Sequence, residues 1–492
     1  MRHDEGVAHP PDRLSALDAS FLDLDTAVAP LHVGWTMRFE GTAPPVAQLR
    51  RHLEARLDHV PRFRRRVTAP RLGLGDLRWS DDPGFDVARH VHALRLAAPG
   101  GPGELRELAG TLLSVPLDPA RPLWRLYLVD GLAGGGFALI GQAHHALVDG
   151  IAAIEVALLL FTPEAPAPAD GTDGGPWLPA GPVPLVDGLT DAVRSRVGGG
   201  GRTARALLGA ARRTDAARLR EVAGALESFA RPSAATSLDR TVGPAREVAF
   251  ATTDLEGVRD AGRRHGGTIN DVLLAACALA LGRALRRRGE HPETVKVLVP
   301  VNVRDGTPED AAPGNKISFV GVDLPVAETD AVRVLRRVRA QTRAAKAAGE
   351  AGPLAALADA ADVLPATARR AVTRTAAKAA SFTAIVSNVP GPPVDLGLLG
   401  RPLAALFPAV PCLDGHALTI GALSYRGRLH VGVTADAVVV PDAVDLARDL
   451  EQAFDTLRVL PAAREGTPWR ERARRRRPAG AATSRPGARR SR

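Results

Sequence analysis

The chain has 492 residues, 45% of them hydrophobic and 24% charged. This excludes a disordered polymer and is too long for one ordinary core, so two domains with linkers are expected. The net charge of +10 excludes little, because residues 461–492 hold eleven Arg against two Glu, a net +9, and the remainder is close to neutral. Two cysteines, Cys277 and Cys412, cannot build a disulfide framework and read as reduced core residues. No uncharged apolar run reaches the ~18–20 residues that cross a bilayer. Residues 1–6 lack the apolar stretch of a secretory signal, so a cytoplasmic location is expected.

The predicted elements alternate. A strand over His32–Phe39 precedes a helix from Val46 to Val60, where Val46, Leu49, Leu53 and Leu57 recur at helical spacing. A strand over Phe85–Leu94, a helix near Glu104–Leu113, and strands over Trp124–Val129 and Phe137–Ala143 follow, then a helix over Ile151–Phe161. From Thr162 to Gly200 the composition is that of a linker, rich in Pro and Gly. A long Ala/Arg helix is expected over Arg202–Phe229. The alternation then resumes, with strands over Arg246–Thr252, Val295–Pro300, Ile317–Leu324, Thr383–Ser387, Ala417–Ser424 and Arg428–Thr434. Helices are expected over Asn270–Arg288, Ala331–Ala347, Leu354–Leu364 and Ala443–Leu460. The expected division is an N-terminal α/β domain (1–165), a linker with a helix (166–244), a second α/β domain (245–462) and a basic, disordered tail (463–492). Mixed sheets in both domains and a cleft between them are the simplest assembly.

The chemistry concentrates where the strand ending at Ala143 meets His144-His145-Ala-Leu-Val-Asp149-Gly150. Neighbouring side chains on an extended segment face opposite sides, so only one of the two histidines can look into a given cleft. Adjacent strand histidines converge poorly on a metal, and no Cys cluster or His-Glu-x-x-His run assists them. An imidazole there suits proton removal from a bound hydroxyl. Asp149 suits a helix N-cap and equally an ordering role behind His145, and the two are compatible. No Gly-x-Ser-x-Gly elbow offers another nucleophile.

Several further blocks accompany this one in order: Leu14-Ser-Ala-Leu-Asp-Ala-Ser-Phe21, Leu31 to Gly34, Pro122-Leu123-Trp124, Thr268-Ile-Asn270-Asp271, Gly314-Asn315 with Ser318, Ser387-Asn388-Val-Pro390-Gly391-Pro392, and Ser424-Tyr425-Arg-Gly427. With His-His-x-x-x-Asp-Gly at 144–150, the chain resembles the bacterial wax ester synthase/acyl-CoA:diacylglycerol acyltransferase family, within the acyl-CoA-dependent acyltransferase superfamily. Departures are small: Asn302 stands where relatives often carry Ser, and the Arg-rich tail is idiosyncratic.

The resemblance implies an α/β fold of two chloramphenicol-acetyltransferase-like domains around an interdomain channel. It implies transfer of a long acyl group from acyl-CoA to diacylglycerol or a fatty alcohol, with acyl-CoA as co-substrate and no cofactor or metal. His145 would be the general base, His144 a support for the loop, and Arg304 a partner bracing Asp149. Asn270 could donate toward a developing oxyanion, although Thr268 as N-cap and Asp271 as a first-turn acid explain the same residues structurally. Ser387 and Asn388 read as channel wall, and Trp124 as core beside it. The tail arginines suit a peripheral contact with the inner face of the membrane or a lipid-droplet surface, without a nucleic-acid role. Two rival functions are a condensation-type acyltransferase using carrier-bound thioesters and a catalytically weak lipid-binding protein.

Overall fold

The computed structural model describes residues 12–69, 77–148, 150–161, 177, 179, 233–302, 317–348 and 366–461. The expected helices at Arg202–Phe229 and Leu354–Leu364, most of the linker and the basic tail lie outside the described residues.

In the first half the order is β1 (Asp12–Arg13), α1 (Ala16–Leu24), β2 (His32–Phe39), α2 (Val46–Glu54), β3 (Arg65–Thr68), β4 (Arg78–Asp81), β5 (Val91–Arg95), α3 (Pro102–Leu113), β6 (Trp124–Asp130), β7 (Phe137–His144) and α4 (Gly150–Phe161). The second half runs β8 (Arg246–Asp254), α5 (Leu255–Arg264), α6 (Ile269–Arg287), β9 (Val295–Asn302), β10 (Ile317–Leu324), α7 (Ala331–Ala348), α8 (Ala366–Ala379), β11 (Ala384–Val389), β12 (Gly397–Leu398), β13 (Arg401–Ala409), β14 (Leu418–Tyr425), β15 (Arg428–Asp436) and α9 (Ala443–Arg458).

Two six-stranded mixed sheets dominate, in the orders β12-β13-β2-β7-β6-β5 and β10-β9-β11-β14-β15-β8. Parallel pairs occur at β5–β6 in the first and at β9–β11 and β11–β14 in the second. The α/β class with mixed sheets agrees with the sequence reading. Helix α6 is apolar all round and sits in the core of the second half, buried from Asp271 to Leu285 apart from Arg283. No single helix among the described residues is long and apolar enough to cross a membrane.

Two expectations shift for local reasons. The strand expected over Phe85–Leu94 begins only at Val91, because the Asp86 side chain accepts from Ala88 N–H and folds residues 87–89 into a helical turn. The helix expected over Val46–Val60 leaves α-geometry after Glu54, and short 3₁₀ turns over Leu57–His59 and Pro61–Arg64 carry the chain on, with Leu57 buried as its spacing predicts.

The larger difference is β13. Residues 397–409 belong to the second half of the chain, yet β13 pairs antiparallel with β2 of the first sheet. Among the described residues its far side is strand-paired only at Arg401 and Pro402, so Pro408 withholds no N–H from a ladder on that side. Where β13 passes the second sheet, a Cβ on Gly432 would fall 1.8 Å from the Pro408 carbonyl oxygen. Gly421, its register partner, faces the Pro408 ring and Val410.

Gly432→Ala should therefore lower the stability by about 1–3 kcal/mol, the cost of overpacking a site whose neighbour is backbone and cannot rotate away. The urea midpoint of the variant, compared with that of the parent chain, checks this.

Candidate functional site

All eight residues of β7 are buried, and β2 pairs with it along its length, with His32 opposite His144. The backbone then turns under tight restraint. His144 N–H donates to the Leu123 carbonyl at 2.9 Å, His145 N–H to the Leu31 carbonyl at 2.9 Å, and Leu147 N–H to the His144 carbonyl at 2.8 Å.

This turn separates the two imidazoles. His144 is buried, and its Nδ1 accepts from Ala146 N–H at 3.0 Å. In the neutral ring the remaining proton is then on Nε2, which faces Asp25 Oδ2 at 3.7 Å. His145 is half-buried, its ring stacked on Phe21 with centroids 4.1 Å apart and planes at 13°. It lines a cavity of about 1140 Å³; His144 does not.

That cavity lies between the sheets. Trp35 and Met37 of β2, Trp124 of β6, Ile154 and Phe161 of α4, Leu298 of β9 and Phe319 of β10 contribute apolar wall. Pro408 of the crossing strand, Gly421 of β14, Phe21 and Leu24 of α1 and the side of α8 from Val372 to Ala379 contribute further wall. The volume exceeds the ~300–1,000 Å³ of most small-molecule sites, and the wall is apolar almost throughout.

The sequence-predicted residues fall into three groups. His145, Trp124, Ser387 and Asn388 meet on this one cavity. Trp124 is also core: it is 6% exposed, its Nε1 donates to the Phe63 carbonyl at 2.8 Å, and its ring stacks on His90. Asn270 and Asp271 do not line the cavity. Asp271 closes a capping box with Thr268 at the head of α6 and accepts from the Thr342 hydroxyl at 2.6 Å, so the structural reading of this turn accounts for its contacts. Asp149 and Arg304 lie outside the described residues, and Gly150 opens α4. Phe21, Asp25 and the α8 wall are contributions that residue reasoning did not assign. The only sequence signal for the first was its place in the Leu14–Phe21 block.

Among the described residues no three His, Cys, Asp or Glu side chains cluster as metal ligands would. Both cysteines are buried and free, and burial pushes their thiols up to about 12 at Cys277 and about 11 at Cys412, far from a reactive thiolate.

Comparison with known proteins identifies this arrangement. Residues 14–273 match the model of the wax ester synthase/diacylglycerol acyltransferase catalytic domain, and residues 313–458 that of the WS/DGAT C-terminal domain. The chain belongs to the wax ester synthase/diacylglycerol acyltransferase family. It is an acyltransferase. A probable diacylglycerol O-acyltransferase of Mycobacterium tuberculosis, Tgs1, is 31% identical over 465 residues, covering 93% of this chain and 98% of that protein. A putative diacylglycerol O-acyltransferase of the same organism is 32% identical over 465 residues, with 90% and 99% covered. Among solved structures, the wax ester synthase/diacylglycerol acyltransferase of Marinobacter aquaeolei VT8 superposes with a TM-score of 0.64 at 24% identity, covering 91% of this chain and 98% of that one. The first condensation domain of the calcium-dependent antibiotic synthetase shares the fold with a TM-score of 0.59 at 17% identity over 93% of this chain and 98% of its own.

Opposite His144 on β2, burial pushes His32 down to about 4, although its contact with the Leu113 carbonyl at 2.8 Å opposes this. Burial pushes His430 down to about 4 as well. Both rings are neutral in the native state at pH 7, while in the unfolded chain they titrate near 6.5. The unfolded state therefore takes up protons first as pH falls, and stability is lost from about pH 6.5 to about pH 4, with no further loss from these groups below that. Urea midpoints at pH 7, 5.5 and 4 should fall in that order, and His32→Asn should flatten the slope.

Proposed function

We propose that this acyltransferase moves a long-chain acyl group from acyl-CoA to the hydroxyl of diacylglycerol, and to long-chain alcohols, making triacylglycerol and wax ester. The observation that carries the reading is His145 on the wall of a large apolar cavity between the sheets. Such a space suits an acyl chain and a lipid acceptor, and an imidazole suits taking a proton near neutral pH. Of the two described imidazoles on the wall, His416 has its Nδ1 engaged with the Phe382 carbonyl at 2.7 Å and burial lowers its pKa, which favours His145 for that role.

In this reading the His145 imidazole removes the proton of the acceptor hydroxyl as that oxygen attacks the thioester carbonyl. The tetrahedral intermediate collapses, the C–S bond breaks, and the imidazolium returns the proton to the departing thiolate. Acceptor and thioester react directly, and no acyl-enzyme forms. Ser387 and Asn388 would position the reacting groups, since both face the cavity from the end of β11. The basic segment 463–492 would bring the enzyme to anionic lipid surfaces at the cytoplasmic face, where each basic residue near the membrane contributes about 1 kcal/mol.

The names of the curated relatives favour acyl transfer to diacylglycerol over a carrier-bound thioester reaction. Thiol release from palmitoyl-CoA, followed with a chromogenic reagent, should depend on added diacylglycerol or hexadecanol. Release at background level across several chain lengths, from folded protein, would sink the proposal. His145→Ala should lose at least ~10²-fold in turnover, the lower range for a general base, and a near-normal rate would remove His145 from the chemistry.

A further inference from the structure

Asp25 follows α1 directly and is not on the cavity wall. Its Oδ1 accepts from Leu31 N–H at 2.7 Å, and the Leu31 carbonyl in turn accepts from His145 N–H at 2.9 Å. Its Oδ2 faces His144 Nε2 at 3.7 Å. Asp25 N–H donates to the carbonyl of Phe21, the residue whose ring stacks on His145. One carboxylate thus reaches both histidines by separate routes, and the same backbone holds the ring that His145 lies against.

Leu31 is 2% exposed, so its peptide needs partners inside the protein, and the carboxylate supplies a charged acceptor for its N–H. Removing that acceptor frees the peptide joining Pro30 to Leu31 to rotate, and with it the backbone dihedrals of Leu31. The carbonyl that fixes His145 N–H would then shift as well. A displacement of about 1 Å at a general base can cost ~10²-fold in rate.

We infer that Asp25 is a positioning residue for this acyl transfer, acting through the backbone of Leu31 to hold the backbone of His145, and distinct from any group that touches substrate. The inference rests on the reading of His145 as the base.

Steady-state kinetics with palmitoyl-CoA and diacylglycerol test it on the full chain, with folding followed by circular dichroism. Asp25→Ala should lower kcat by about 10- to 100-fold and leave KM for palmitoyl-CoA within about twofold, because the residue does not line the cavity. Asp25→Asn keeps an oxygen acceptor for Leu31 N–H and should recover most of the rate. In a His145→Ala background, Asp25→Ala should cause no further loss, since the group it acts through is gone. If Asp25→Ala folds poorly, Asp25→Glu carries the same test: the charge stays, the acceptor is displaced, and kcat falls while KM holds.

Normal kcat in a folded Asp25→Ala or Asp25→Glu variant, no recovery in Asp25→Asn, or an additive loss beside His145→Ala each overturns the inference. A near-normal rate in His145→Ala alone overturns the reading of the base instead, which separates the two failures.

Discussion

The separation of the two sheets is set by a backbone contact. The Pro408 carbonyl lies so close to residue 432 that only hydrogen fits there. Strand β13 therefore touches the second sheet as it enters the first, and its pairing with β2 continues to Ala409 opposite Gly34. Two independent sheets could slide against each other. A strand hydrogen-bonded into one and packed on the other removes that freedom. Arg246, at the start of β8, adds a buried link: it donates to Val28 in the first half and to Gly243 in the second, and lies 3.7 Å from Asp436. The cavity is what remains between surfaces held at this distance.

The same constraint explains how an imidazole can be presented to an apolar space without being lost in it. His145 sits one residue beyond a strand buried on both faces, so the sheet supplies its coordinates. Its backbone N–H is taken by Leu31 and its ring is packed on Phe21, which limits the ring's rotation without occupying its cavity-facing edge. Hydrogen bonds in such surroundings are stronger than in water, and a displaced polar group is correspondingly costly. Geometry held by main chain and by an aromatic face thus fixes where this imidazole meets the apolar cavity.

The sequence reading of strands was best where alternation or apolar runs coincided with burial, and β2 and β10 have the expected limits. The two histidines were separable for the same reason, since the period of a strand sends neighbours to opposite faces. No strand was expected over Arg401–Ala409, where Pro402 and Pro408 interrupt the pattern, and nothing local reveals that β12 pairs the outer edge only at its start among the described residues. Asp25 was invisible because its partners, Leu31 and His144, are joined to it by tertiary structure. Asn270 and Asp271 show the opposite case: a helix-capping pattern was legible, and the capping box accounts for the contacts of Asp271.

The walls of the cavity are not held equally. Most are strand core, but α8 contributes alanines interspersed with Arg374 and Lys378 and meets α1 through polar contacts. Arg370 pairs with Asp23 at 2.8 Å, Arg374 donates to the Asp23 carbonyl at 3.2 Å, and the hydroxyls of Ser20 and Thr373 lie 3.2 Å apart. A pair between exposed groups would contribute only about 0–1 kcal/mol. Here the Asp23 side chain is 3% exposed whereas Arg370 is 54% exposed, so removing the Arg370 guanidinium with the helices in place would leave a buried carboxylate without that cation. The polar seam is thus stronger than its surface position suggests, and it joins α8 to the same helix that packs Phe21 on His145. Helix α1 is consequently both part of the cavity wall and the carrier of the ring that packs on His145, so a shift of this nine-residue segment moves the two together.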